Sequence, residues 1–118
     1  MATTGLDLKN KRCIPCEGGT PPLHDAAVEM LLGELNGWGA AVDAPGTPRK
    51  LHKRFDFEDF LAAMAFVDRV AALAEEEQHH PDFCVHYSRV DVTLWTHAVS
   101  GLTENDFILA AKIDGIVA

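Results

Sequence analysis

Apolar positions along this chain follow two periods, one near 3.6 and one of 2, which alternate from residue 25 onward. Val28, Leu31, Leu32 and Leu35 repeat at three-to-four spacing, predicting a helix over 25–36 with Gly37 as its stop. A short strand is expected over 38–42, then a turn at Pro45-Gly46-Thr47-Pro48. Leu51, Lys53, Phe55 and Phe57 alternate with His52, Arg54 and Asp56, the period of a strand with one buried face. Lys53 breaks the apolar set and is expected near a sheet edge. These two strands read as a hairpin.

Phe60, Met64, Val67, Val70, Ala71 and Ala74 form an apolar stripe that predicts a second helix over 58–77. Pro81 stops it, because the residue before a proline is disfavoured in the helical region. A second hairpin is expected over 85–96. Val90, Val92 and Leu94 share one face; Asp91, Thr93, Trp95 and, if the strand continues, His97 share the other. Gly101 ends it. Thr103 then reads as an N-cap with Asp106 at N3, and Leu102 and Phe107 as a hydrophobic staple, opening a last helix through Phe107, Ala110, Ala111 and Ile113. The order α-β-β-α-β-β-α fits an α+β fold, a four-stranded antiparallel sheet with helices packed on one face.

Residues 1–22 are polar, then rich in Gly and Pro, and carry Cys13-Ile14-Pro15-Cys16. They read as an extended, poorly ordered arm, leaving 23–118 as one domain. A CxxC pair suits a zinc knuckle or a redox couple, but no second ligand pair follows and no βαβ context surrounds it. A net charge of −8, from 18 acidic against 10 basic residues, argues against a nucleic-acid partner and leaves a protein partner open. No apolar run approaches the roughly 18–20 residues of a membrane span, and the N-terminus lacks the apolar core of a secretory signal. Three cysteines do not make a disulfide framework, so a cytoplasmic location is expected.

Candidate chemistry collects between Glu75 and Asp106. His79 and His80 sit side by side at a helix-to-loop junction, and His97 ends the strand-like run. Histidine gives and takes protons near neutral pH, and adjacent histidines point in different directions and serve different roles. Three histidines on zinc are the rival reading, but H-x-H and H-x-x-x-H spacings are absent, so no metal is expected. Glu75-Glu76-Glu77 precede the pair where a helix dipole prefers cations. Either this acidic end is solvated, or it faces the histidines and favours the imidazolium form. No nucleophile motif, phosphate loop or nucleotide fingerprint occurs.

The pattern HHP-x5-Y-x2-V-x4-WTH-x3-GLTENDFILAAKID resembles the pterin-4a-carbinolamine dehydratases, as do Gly37-Trp38 and Phe55-Asp56-Phe57. The resemblance covers about residues 23–116. It implies the antiparallel sheet with helices already derived, and a homodimer or homotetramer. It implies dehydration of 4a-hydroxytetrahydropterin to quinonoid dihydropterin and water, which recycles tetrahydrobiopterin, with no metal or other cofactor. His79, His80 and His97 would be the catalytic set, His79 and His97 as general acid and base and His80 binding and orienting the pterin. Asp106 and Glu75 would join His80 in substrate binding, Asp106 having helix capping as its alternative role. Gln78 departs from the family, which often has an acid before the doublet; Glu75, one turn before His79, is the candidate to replace it. The alternative function is a non-catalytic binding module, since relatives with this fold act as Rubisco assembly chaperones or as dimerisation cofactors of a transcription factor. The three histidines favour the enzyme.

Overall fold

The computed structural model describes residues 8–13, 21–42 and 44–117. Its elements are α1 (Asp25–Leu32), β1 (Gly39–Val42), β2 (Arg49–Asp56), α2 (Phe60–Glu77), β3 (Asp82–His86), β4 (Arg89–Leu94) and α3 (Glu104–Val117). Two hairpins, β1-β2 and β3-β4, join through β2 and β4 into one antiparallel sheet ordered β1-β2-β4-β3. This is the α+β fold and element order that the periodicity predicts.

Leu51, Phe55, Val90, Val92 and Leu94 point from the two inner strands into the core, where the helices cover them. Their neighbours His52, Arg54, Asp91 and Thr93 occupy the other face. α3 is buried almost all round at its start, from Asn105 to Ala110. Such a helix must be covered on several sides; Leu8, in a 3-10 turn over Leu8–Asn10, shares its core.

Several expectations require correction. The first helix ends at Leu32, not residue 36, with Gly33 as C-cap. Glycine is the poorest helix former after proline, so the stop comes one turn early although Leu35 still packs on the core. Gly37, with φ 84°, instead turns the chain toward β1. Lys53 is not near an edge: β2 is an inner strand, and Lys53 pairs with Val92. Its charge is accommodated because Nζ donates to Asp114 Oδ1 at 2.8 Å and to the Asn36 carbonyl at 2.6 Å. Asp114 also accepts from Trp38 Nε1, which ties the end of α3 to the start of β1.

The buried stripe of α2 is Ala63, Phe66, Val70, Ala74 and Glu77. Of the stripe read from sequence only Val70 and Ala74 lie fully within it, while Phe60 and Ala71 are exposed. The helix is rotated by Phe66, which lies between Phe55 and Phe57 at ring distances of 4.7 and 4.9 Å. Aromatic contacts of this kind add to the area they bury. Residues 8–13 of the expected arm lie against the domain; burial of a leucine such as Leu8 is worth roughly 1.5–3 kcal/mol. Cys16, and so the CxxC pair as a unit, lies outside the described residues.

Candidate active site

The site forms where the end of α2, the end of β4 and the start of α3 meet. Gln78 caps α2 in the left-handed conformation, φ 55° and ψ 40°, with its N–H bonded to the Ala74 carbonyl. The Gln78 side chain donates to the Glu75 carbonyl at 2.6 Å, satisfying another helix-end acceptor. His79 N also reaches Ala74 O, at 3.2 Å. This left-handed residue and Pro81 turn the chain sharply, so His79 and His80 leave the helix in different directions.

β4 ends at Leu94, and the chain then closes a small loop. Thr96 and Gly101 form an isolated bridge around a 3-10 turn, His97–Val99. His97 therefore begins a turn and does not continue the strand face. Its ring stacks on Trp95 with centroids 4.0 Å apart. Gly101 is required by close approach: a Cβ there would meet Pro22 Cβ at 2.7 Å.

Asp106, fully buried in the first turn of α3, connects these pieces. Its Oδ2 accepts from Thr103 N at 3.0 Å, the backward arm of a capping box, and from Thr96 Oγ1 at 2.8 Å. Its Oδ1 lies 2.6 Å from His79 Nε2. Capping and site contact are thus carried by one carboxylate, one oxygen for each. Toward an ionised carboxylate Nε2 donates, and in the neutral ring Nδ1 is then the acceptor.

His80 Nε2 lies 2.5 Å from Glu75 Oε2, both side chains being largely exposed. Glu75 therefore pairs with His80, and it is Asp106 that holds His79. The left-handed Gln78 accounts for the exchange, since α2 does not continue far enough to place His79 one turn above Glu75. Gln78, His79, His80, Pro81, Asp82, Trp95, Thr96, His97 and Ala98 wall an open cavity of about 350 Å³. Such a volume suits a small ligand.

One residue before the cavity-lining Gln78, Glu77 is buried at the last position of α2. Burial opposes its charge, but hydrogen bonds from Lys112 Nζ and Cys13 N, both 2.8 Å, together with the lysine charge, hold its carboxyl below the usual range. The acidic helix end is thus neither uniformly solvated nor turned as one toward the histidines. Burial, and then the Glu77 charge, push the neighbouring Cys13 thiol up to about 12.

The fold brings His79, His80 and His97 to one cavity, with Glu75 beside His80 and Asp106 beside His79. Sequence reasoning did not single out Thr96, whose hydroxyl links Asp106 to Thr103. Nor did it give Trp95 a role, although its ring backs His97 and carries Lys50 Nζ 4.8 Å above its face. The W-T-H run was the available signal for both.

Comparison with known proteins places the chain in a family. The family model for pterin 4 alpha carbinolamine dehydratase matches residues 21–116. A Rickettsia bellii protein provisionally named pterin-4-alpha-carbinolamine dehydratase is 48% identical over 113 residues, covering 95% of this chain and 96% of its own. One with the same provisional name from Rubrobacter xylanophilus is 45% identical over 108 residues, covering 92% and 96%. Among solved structures, a transcriptional coactivator/pterin dehydratase from Brucella melitensis superposes with a TM-score of 0.73 at 35% identity, over 82% of this chain and 99% of that one. A pterin dehydratase-like protein, identified as a RuBisCO assembly factor in the alpha-carboxysome, gives 0.59 at 30% identity, over 70% and 92%.

Proposed function

The chain belongs to the pterin 4 alpha carbinolamine dehydratase family, and on that premise we propose that it dehydrates 4a-hydroxytetrahydropterin to quinonoid dihydropterin and water. The observation that carries the proposal is the cavity walled by His79, His80 and His97, with His79 backed by the buried Asp106.

In the reaction the C4a–O bond breaks and the N5–H electron pair becomes the N5=C4a double bond. One group must take the N5 proton and another must protonate the departing hydroxyl so that it leaves as water. His79, with Nε2–H donated to Asp106, presents Nδ1 as the base. His97, exposed on the cavity wall and held against Trp95, is the acid. His80, turned toward Glu75, binds the pterin edge, and its polar partner keeps the ring oriented. A homodimer or homotetramer, a cytoplasmic location and a place in tetrahydrobiopterin recycling belong to the same proposal.

The test is direct assay of purified protein on 4a-hydroxytetrahydropterin. His79→Ala and His97→Ala should each lower kcat by about 10²–10⁴-fold, the usual worth of a positioned acid or base. Wild-type turnover by the double variant would remove the assignment. A non-catalytic binding role is the second reading, supported by the fold shared with the RuBisCO assembly factor. A wild-type protein that binds pterin without turning it over favours that reading.

A further inference from the structure

Glu77 lies two residues before His79, and its side chain is wholly removed from solvent. A buried carboxylate persists only when paired and hydrogen-bonded, and the partners of this one come from two other parts of the chain. Lys112, on α3, donates to Oε2, and the backbone of Cys13 donates to Oε1. The segment that supplies Cys13 also grips the first turn of α3. Lys11 Nζ lies 2.9 Å from Glu104 Oε2, and Cys13 Sγ lies 3.6 Å from the Asn105 carbonyl. Glu104 and Asn105 directly precede Asp106.

Both ends of the His79–Asp106 pair are therefore tied to the same short segment, one through Glu77 and the other through Glu104 and Asn105. The path from Glu77 to His79 is a single left-handed residue, and His79 N is itself bonded to α2. A slip of the last turn of α2 would pass to the imidazole undamped. We propose that Glu77 is a positioning residue: through Lys112 and the docked 8–13 segment it sets the end of α2 against α3, so that His79 and Asp106 meet. Its effect on turnover rests on the dehydratase reading; its effect on the His79 hydrogen bond does not.

The test combines kinetics with the ¹⁵N shift of His79 Nε2 in ring-labelled protein. Glu77→Ala, assayed well below its unfolding temperature, should move that shift away from the wild-type value. It should also lower kcat by up to about 100-fold, the cost of roughly ångström-scale misplacement, while KM changes little. If Glu77→Ala does not fold, Cys13→Pro carries the test. It removes the N–H donor to Glu77, and with it the Sγ contact to the Asn105 carbonyl, but leaves Glu77 and Lys112 in place, and should move shift and kcat the same way by less. A folded variant with the wild-type His79 shift overturns the proposal. If the wild-type protein has no dehydratase activity, the shift alone decides.

Discussion

His79 Nε2 and Asp106 Oδ1 are 2.6 Å apart across 27 positions of sequence, the histidine opening on the cavity and the aspartate fully buried. Because the other oxygen of Asp106 is occupied by Thr96 and Thr103, the carboxylate has one orientation, and it transmits that orientation to the imidazole. Asp106→Asn retains size but presents an amide where an acceptor is needed on one side. We expect kcat to fall by about 10²–10⁴-fold, and the buried network to lose about 1–3 kcal/mol. Steady-state kinetics and urea unfolding measure the two effects separately. Unchanged kcat in Asp106→Asn would mean that the contact is only a helix cap.

Glu75 faces His80 and not His79, so its loss should act on binding. Glu75→Gln and His80→Ala should both raise KM for the pterin with a smaller change in kcat. Combining them should cost less than the sum of the two singles, because each removes the same pair. Strict additivity in this double-mutant cycle contradicts the pairing.

Glu77 gives stability a defined pH dependence. Its folded-state carboxyl lies below the ordinary value of 4.5, so the stability it contributes is complete above that value and is lost as pH falls through the folded one. Urea unfolding from about pH 6 down to about pH 3 should show a decline that is shallower in Glu77→Gln. Parallel curves for the two proteins contradict the assignment.

Cys13 is half-buried with its thiol pushed up to about 12, whereas Cys84 is exposed on edge strand β3. In a Cys16→Ser background at neutral pH, a thiol reagent should modify Cys84 quickly and Cys13 slowly, because the thiolate is the reacting species. Stability should also decline as pH rises above 9.0, where the unfolded thiol ionises and the folded one resists. Equal labelling rates at the two positions would show the 8–13 segment to be undocked.

The architecture was legible because it depends on period. The alternation through β2 and β4, and the 3–4 spacing in α1 and α2, specify which segments are strands and which are helices without knowledge of their partners. The three histidines were legible as a group from their motif, and the capping pattern before α3 marked Asp106. Tertiary structure decided everything that depends on which distant group arrives at a given side chain. Lys53 stands on an inner strand because Asp114 and Asn36, brought from other elements, satisfy its charge. Phe66 sets the rotation of α2 because two aromatic rings of the β2 region meet it. Glu75, Glu76 and Glu77 are identical in sequence, yet one pairs with His80 and another is buried under Lys112 and Cys13. Local sequence carries propensity and period, but a charge takes its role from its neighbours, and these are fixed only when the chain closes on itself.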